Sequence, residues 1–330
     1  MLVERARQLA RQWALDEGPA LPGFQGAFLT GSTLWADPGA ELSPSSDVDV
    51  MVVADPPPSI GKFRYRGALL EVSGLARLGS THEVLSDYHL AGSFHLPCVL
   101  ADPTGRLGEI QRLVARDYAE RPWILARCTQ AMDRVRGWIN SMDESAPLPA
   151  QVNAWLFGTG VTTHVLLVAG LRNPTVRRRY AAVRELLAEH GWLDWHEHLL
   201  DLLGCARMSA ARVRGHLAAL EAVFDATAEL KAPSYRFDSD ITPEARPVAI
   251  DGGHELVAAG LHREAVFWLV ATYARCLEKR AAAGVSADYE DGFHELLGDL
   301  GAGTFADRRR RGDHVLAVLP SLWQTAMALC

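Results

Sequence analysis

Cysteine is scarce in this 330-residue chain. The five cysteines stand at 98, 128, 205, 276 and 330, an odd number, widely spaced and without a Cys-x-x-Cys pair. This excludes a disulfide framework and a cysteine-rich zinc site, and predicts a cytoplasmic protein in a reducing compartment. Lysine is scarcer still: only Lys62, Lys231 and Lys279 stand among 33 basic residues. Positive charge is also outnumbered, because 40 acids leave a net charge of −7. A chain built to grip a nucleic-acid backbone usually carries the opposite sign, so nucleic acid is an unlikely partner.

Long apolar runs are missing too. The best, Val161–Leu171, is broken by Thr162, Thr163 and His164 and is too short to cross a bilayer. The first thirteen residues, MLVERARQLARQW, place charge at every turn. No signal peptide and no membrane partner are expected. There is no G-x-x-x-x-G-K-[ST], no G-x-S-x-G and no kinase His-Arg-Asp set. Gly158-Thr159-Gly160 lies inside a helical run rather than after a strand, so it is no dinucleotide fingerprint.

What is present is ordinary globular composition, 48% hydrophobic and 22% charged. Residues 2–15 repeat apolar side chains at helical spacing (Leu2, Val3, Ala6, Leu9, Ala10, Trp13). Strand-like runs follow at Gly26–Thr30, Val48–Val53, Ala68–Val72 and Pro97–Ala101. From about 106 onward the period is helical: 106–118, 122–142, 150–171, 175–190, 192–204, 209–231, 253–283, 289–300 and 313–329. The expected fold class is α+β, a small mixed-sheet domain over 1–120 followed by an all-helical domain over 121–330.

The stretch that carries chemistry is GAFLTGSTLWADPGAELSPSSDVDVMVV. Asp47 and Asp49 are two residues apart. At the start of a strand they project to one side, with Val48, Val50 and Val52 on the other. Two carboxylates this close repel unless a cation lies between them, and hard oxygen ligands favour Mg2+ or Mn2+. An Asp-x-Asp pair alone means little, since 21 aspartates produce roughly 1.3 such pairs by chance. The second pair, Asp238/Asp240, has no apolar run behind it and reads as a solvated turn or helix cap. Around the first pair the context is richer. An upstream strand ends in Gly31-Ser32, where glycine permits close backbone approach and the serine and following amides can meet phosphate oxygens.

Strand, Gly-Ser, loop, Ser46-Asp47-x-Asp49, apolar strand: this order resembles the DNA polymerase β-like nucleotidyltransferase superfamily. A catalytic domain followed by helices is similar to the aminoglycoside and lincosamide nucleotidyltransferases and their bacterial relatives. The resemblance covers residues 26–72. It implies a third carboxylate on a neighbouring strand, a role matched by Glu71 in the apolar run Gly67–Val72. It also implies Mg2+ or Mn2+ at Asp47, Asp49 and Glu71, and a nucleoside triphosphate, ATP being the expected one, at Gly31, Ser32 and Ser46. The implied reaction moves a nucleoside monophosphate to a hydroxyl of a small acceptor and releases pyrophosphate, with Glu71 completing a metal site or acting as base. Fourteen residues separate Ser32 from Asp47, with Pro38, Gly39 and Pro44 among them. This predicts an extended loop at the rim of the site.

The acidic net charge favours a cationic acceptor such as an aminoglycoside. Glu109, Asp133 and Glu264 are candidate acceptor-facing acids. Two alternatives stand beside this reading. One is an AMP-transferring, antitoxin-like modifier of protein or RNA; some helical partners of such proteins are ribonucleases with an Arg…His pair, for which Arg184…His190 and Arg309…His314 fit loosely. The other is a degenerate, non-enzymatic binding scaffold. The remaining features read as structural. Lys62, the one lysine in the first 230 residues, could touch a triphosphate but is expected as a solvated loop charge. Glu71, if not catalytic, pairs with Arg64 or Arg66. His196 and His198 fall on different faces of a helix and cannot chelate together. Arg177–Arg179 and Arg308–Arg311 read as solvated faces. Trp155, Trp192, Trp195 and Trp268 read as core.

Overall fold

The computed structural model describes residues 1–285 and 288–330. The fold is α+β: one five-stranded mixed sheet and many helices. Contacts divide the chain into two compact units, Met1–Gln130 and Ala131–Cys330.

In the first unit, helix α1 (Val3–Asp16) buries Val3, Ala6, Leu9, Ala10 and Trp13 along one side, the face its apolar spacing predicts. Strand β1 (Phe24–Thr30) runs directly into a single helical turn, α2 (Gly31–Trp35). Then come β2 (Val48–Ala54), β3 (Gly61–Tyr65) and β4 (Ala68–Leu75). Short helices α3 (Thr81–Ser86) and α4 (Tyr88–Phe94) lead to β5 (Val99–Ala101), α5 (Arg106–Asp117) and α6 (Arg121–Asn140), within which the first unit ends. The strand order is β3-β4-β2-β1-β5. Only β2 and β4 are parallel neighbours; the other pairs are antiparallel. Helix α1 packs on β5, β2 and β4, α4 on β1, and α5 on β5.

Strand β3 was not expected from the sequence. Its residues GKFRY belong to a hairpin whose two turn residues, Arg66 (φ 49°) and Gly67 (φ 92°), are both left-handed. That is the turn whose twist matches a two-residue hairpin. Arginine at its first position hides it, because asparagine or aspartate is the usual signal there.

The expected long loop after Ser32 is present but pinned. Pro38 and Ala40 carbonyls accept from the Glu4 and Val3 amides at 3.0 and 2.9 Å. They thereby satisfy two of the donors that a helix start leaves open.

The second unit is helical: the end of α6, α7 (Leu148–Ala169), α8 (Arg179–Glu189), α9 (Leu193–Leu203), α10 (Ala210–Ala228), α11 (Gly252–Ala258), α12 (Val266–Ala282), α13 (Glu290–Asp299) and α14 (Phe305–Leu329). Helix α7 corrects one expectation. By length and composition it could span a bilayer, but 89% of its most apolar stretch is buried inside the fold. It is packed by α14, α12, α8 and α9. Its glycines also let it approach α6 and α12 closely: a Cβ at Gly158 would come within 2.6 Å of Ile139 on α6, and one at Gly160 within 2.5 Å of Phe267 on α12.

The single helix expected over 253–283 is two. Helix α11 ends at left-handed Gly260 (φ 78°), where the Leu261 amide returns to the Leu256 carbonyl at 2.8 Å, a glycine stop. The arginine runs are not solvated faces throughout. Arg179 is buried over the Phe267 ring, and Arg308 is buried against the Ala302 and Gly303 carbonyls and Gln151. The Asp238/Asp240 turn is not freely solvated either. Asp238 pairs with fully buried Lys279 at 2.9 Å, and Asp240 with Arg275 at 2.9 Å. Among the tryptophans read as core, Trp155 is fully buried, whereas Trp192, Trp195 and Trp268 are half-exposed.

Candidate functional site

Register builds the site. Lys62 on β3 lies opposite Glu71 on β4, Glu71 opposite Asp49 on β2, and Asp49 opposite Thr30 on β1. Facing residues on paired strands share one side of a sheet, so these four form a row across four strands. Asp47 precedes β2 and lies two residues before Asp49, on the same side. Val48, Val50 and Val52, the alternate residues, are buried. The sequence expectation of two aspartates projecting together thus agrees with the strand.

Ligand oxygens of Asp47, Asp49 and Glu71 all lie within 4.8 Å of one another, and all three residues are half-buried. They form the one cluster with metal-ligand spacing among the described residues. Oxygens across an octahedral Mg2+ stand about 4.2 Å apart, so a set of three hard carboxylate donors at this spacing suits one such ion or a pair about 3.5–4 Å apart.

Lys62 corrects the expectation of a solvated loop charge. It is on a strand, its side chain is 6% exposed, and its ammonium donates to Asp47 Oδ2 at 2.8 Å and to Glu71 Oε2. It takes the role in pairing Glu71 that Arg64 or Arg66 had been expected to fill; Arg64 instead reaches the Gly67 carbonyl. Asp49 is held well above the usual carboxylate range, by burial first and then by the charges of Asp47 and Glu71, with Lys62 acting in the opposite direction.

The other predicted residues surround this cluster. Gly31 opens α2 at φ 69°, and a Cβ there would come within 1.8 Å of Asp49 Oδ2. Only glycine lets the turn close against that carboxylate. Ser32 is exposed on α2, and Ser46 is half-buried beside Asp47, its amide bonded to the Ser43 carbonyl. Two supports were missed by sequence reasoning. Thr33 Oγ1 donates to the Asp47 carbonyl at 2.6 Å. Arg7 on α1 donates to the carbonyls of Thr33, Leu34 and Ala36 at 2.6–3.0 Å, holding the end of the α2 turn. No local signal marks Arg7; it is 26 residues from Thr33 in the chain.

Of the candidate acceptor-facing acids, Glu109 and Asp133 are exposed. Glu264 is not available to an open surface: it is 3% exposed, with His196 Nε2 at 3.4 Å. His196 is buried and His198 half-exposed, so they do point to different sides of α9.

No protein-family model, no curated protein and no solved structure matches the chain.

Proposed function

We propose that the chain is a metal-dependent nucleotidyltransferase of the DNA polymerase β-like kind. It transfers a nucleoside monophosphate from a triphosphate, ATP being the expected one, to a hydroxyl of a small acceptor and releases pyrophosphate. The observation that carries this reading is the convergence of Asp47, Asp49 and Glu71 within 4.8 Å beside a glycine that permits close approach.

Asp47, Asp49 and Glu71 would hold Mg2+ or Mn2+, which when bound supplies Lewis-acid stabilisation of charge on the phosphoryl oxygens. The protein's own part is then positioning and proton handling. Glu71 has the most exposed carboxylate of the pair bonded to Lys62, 29% against 13% for Asp47, and is the better placed to accept the proton of an incoming hydroxyl. The acceptor oxygen bonds to the α-phosphorus, the bond to the bridging oxygen of pyrophosphate breaks, and the hydroxyl proton passes to Glu71. The exposed Ser32 hydroxyl and the turn it sits on offer donors to the phosphates. The net charge of −7 favours a cationic, hydroxyl-rich acceptor such as an aminoglycoside.

The test is incubation with each labelled triphosphate, Mg2+ or Mn2+, and a panel of hydroxyl-rich small molecules, with products identified by mass. A small molecule gaining one nucleoside monophosphate, lost with Asp49→Asn and Glu71→Gln, is the expected result. Label on protein or RNA instead would make the chain a macromolecule modifier. Absence of metal-dependent pyrophosphate release with every triphosphate would overturn the enzymatic reading.

A further inference from the structure

Two of the three carboxylates in this cluster already share a positive charge from the chain itself. Lys62 Nζ engages one oxygen of Asp47, at 2.8 Å, and one of Glu71, two of the three carboxylates that would ligate a metal. A divalent ion drawing on the same oxygens meets the ammonium's charge at close range and competes for the same lone pairs. Strand β3 lies at the edge of the sheet, with β4 as its neighbour on one side. Lys62 rides on a four-carbon stem with several rotatable bonds, so it can withdraw by rotating that stem, without moving the strand.

We infer that Lys62 is a built-in competitor for the divalent cation: it compensates the clustered carboxylates and must be displaced for the metal to bind. This rests on the metal-binding reading above. It sets metal affinity lower than three carboxylates alone would give, and couples metal loading to any ligand that draws the ammonium away. Removing a lysine that merely helped the fold would leave affinity unchanged, and removing one that bridged to a bound metal complex would lower it.

The experiment is Mn2+ binding to the full chain, measured by electron paramagnetic resonance of free Mn2+ at pH 7.5 without nucleotide. It is paired with melting curves in EDTA and in Mn2+. The variants are Lys62→Gln, which keeps a hydrogen-bonding side chain without charge, and Lys62→Arg, which keeps the charge. Lys62→Gln is expected to bind Mn2+ about tenfold tighter or more. It should melt lower than wild type in EDTA and gain more from Mn2+ than wild type does. Lys62→Arg should not show the tenfold gain. Equal or weaker Mn2+ binding by folded Lys62→Gln would overturn the inference while leaving the metal site standing. If neither wild type nor Lys62→Gln binds Mn2+, the metal reading itself fails and takes the inference with it. Should Lys62→Gln not fold in EDTA, recovery of the folded chain by Mn2+ supports competition and failure to recover refutes it.

Discussion

Asp49→Asn is expected to make the chain more stable whenever divalent ions are withheld. Asp49 is raised above its ordinary 3.8 chiefly by burial, then by Asp47 and Glu71. Between 3.8 and its raised value the folded chain therefore holds a proton that the unfolded chain has released. The sign follows: stability from this group is present below 3.8 and is lost as pH rises through the raised value. Whenever Asp49 is ionised in the fold, its carboxylate is a net cost.

The magnitude comes from the spacing. Two unit charges 4.8 Å apart repel by about 3.5 kcal/mol at an effective dielectric of about 20. Asp49 faces two such neighbours, and Lys62 offsets about one of them. Partial exposure screens what is left, so roughly 1–2 kcal/mol should be regained on neutralisation. Asparagine keeps the shape, and its amide can donate to Glu71. For a unit of this size that is a rise in melting temperature of roughly 3–8 °C. The assay is thermal unfolding of wild type and Asp49→Asn in EDTA at pH 7.5, repeated toward pH 4 and with Mn2+. The gain should shrink as the pH falls toward 3.8, where the unfolded chain binds the proton as well. With Mn2+ the order should narrow or reverse, because only the wild type gains the full binding stabilisation. A variant no more stable than wild type in EDTA at pH 7.5, or a gain independent of pH, would refute the argument.

Gly31→Ala should destabilise the first unit by about 2–4 kcal/mol, since it adds a left-handed strain to a clash with Asp49; Mn2+ titration should show weakened binding as the carboxylate is pushed aside. His95 and His196 should remain neutral in nuclear magnetic resonance titrations down to about pH 4, because burial pushes both down from 6.5. Unfolding then takes up protons between 6.5 and about 4, and stability should fall as pH falls through that window. An imidazole shift with a midpoint near 6.5 at either residue would contradict this.

Much of the first unit was legible from local pattern. The strands at 24–30, 48–54 and 68–75 announce themselves by short apolar runs bounded by turn residues, and Asp47 and Asp49 by the two-residue repeat of an extended chain. Each strand proved longer than its run by one to three residues: Phe24 and Gln25 on β1, Ala54 on β2, and Ser73, Gly74 and Leu75 on β4. The break in 253–283 was missed because the residues on both sides of Gly260 keep a helical period; only the backbone's return to Leu256 ends the helix.

By itself the sequence determined the α+β class and the side of the strand on which Asp47 and Asp49 stand, because hydrophobic periodicity and extended-chain geometry act within a few residues. Tertiary structure alone decided that Glu71 faces Asp49, that Lys62 is a buried counter-ion rather than a solvated one, and that Arg7 holds the α2 turn. Those outcomes depend on strand order and register, which are set by a two-residue turn and by contacts between residues far apart in the chain. A shift of one residue in β3 would have turned Lys62 to the other side.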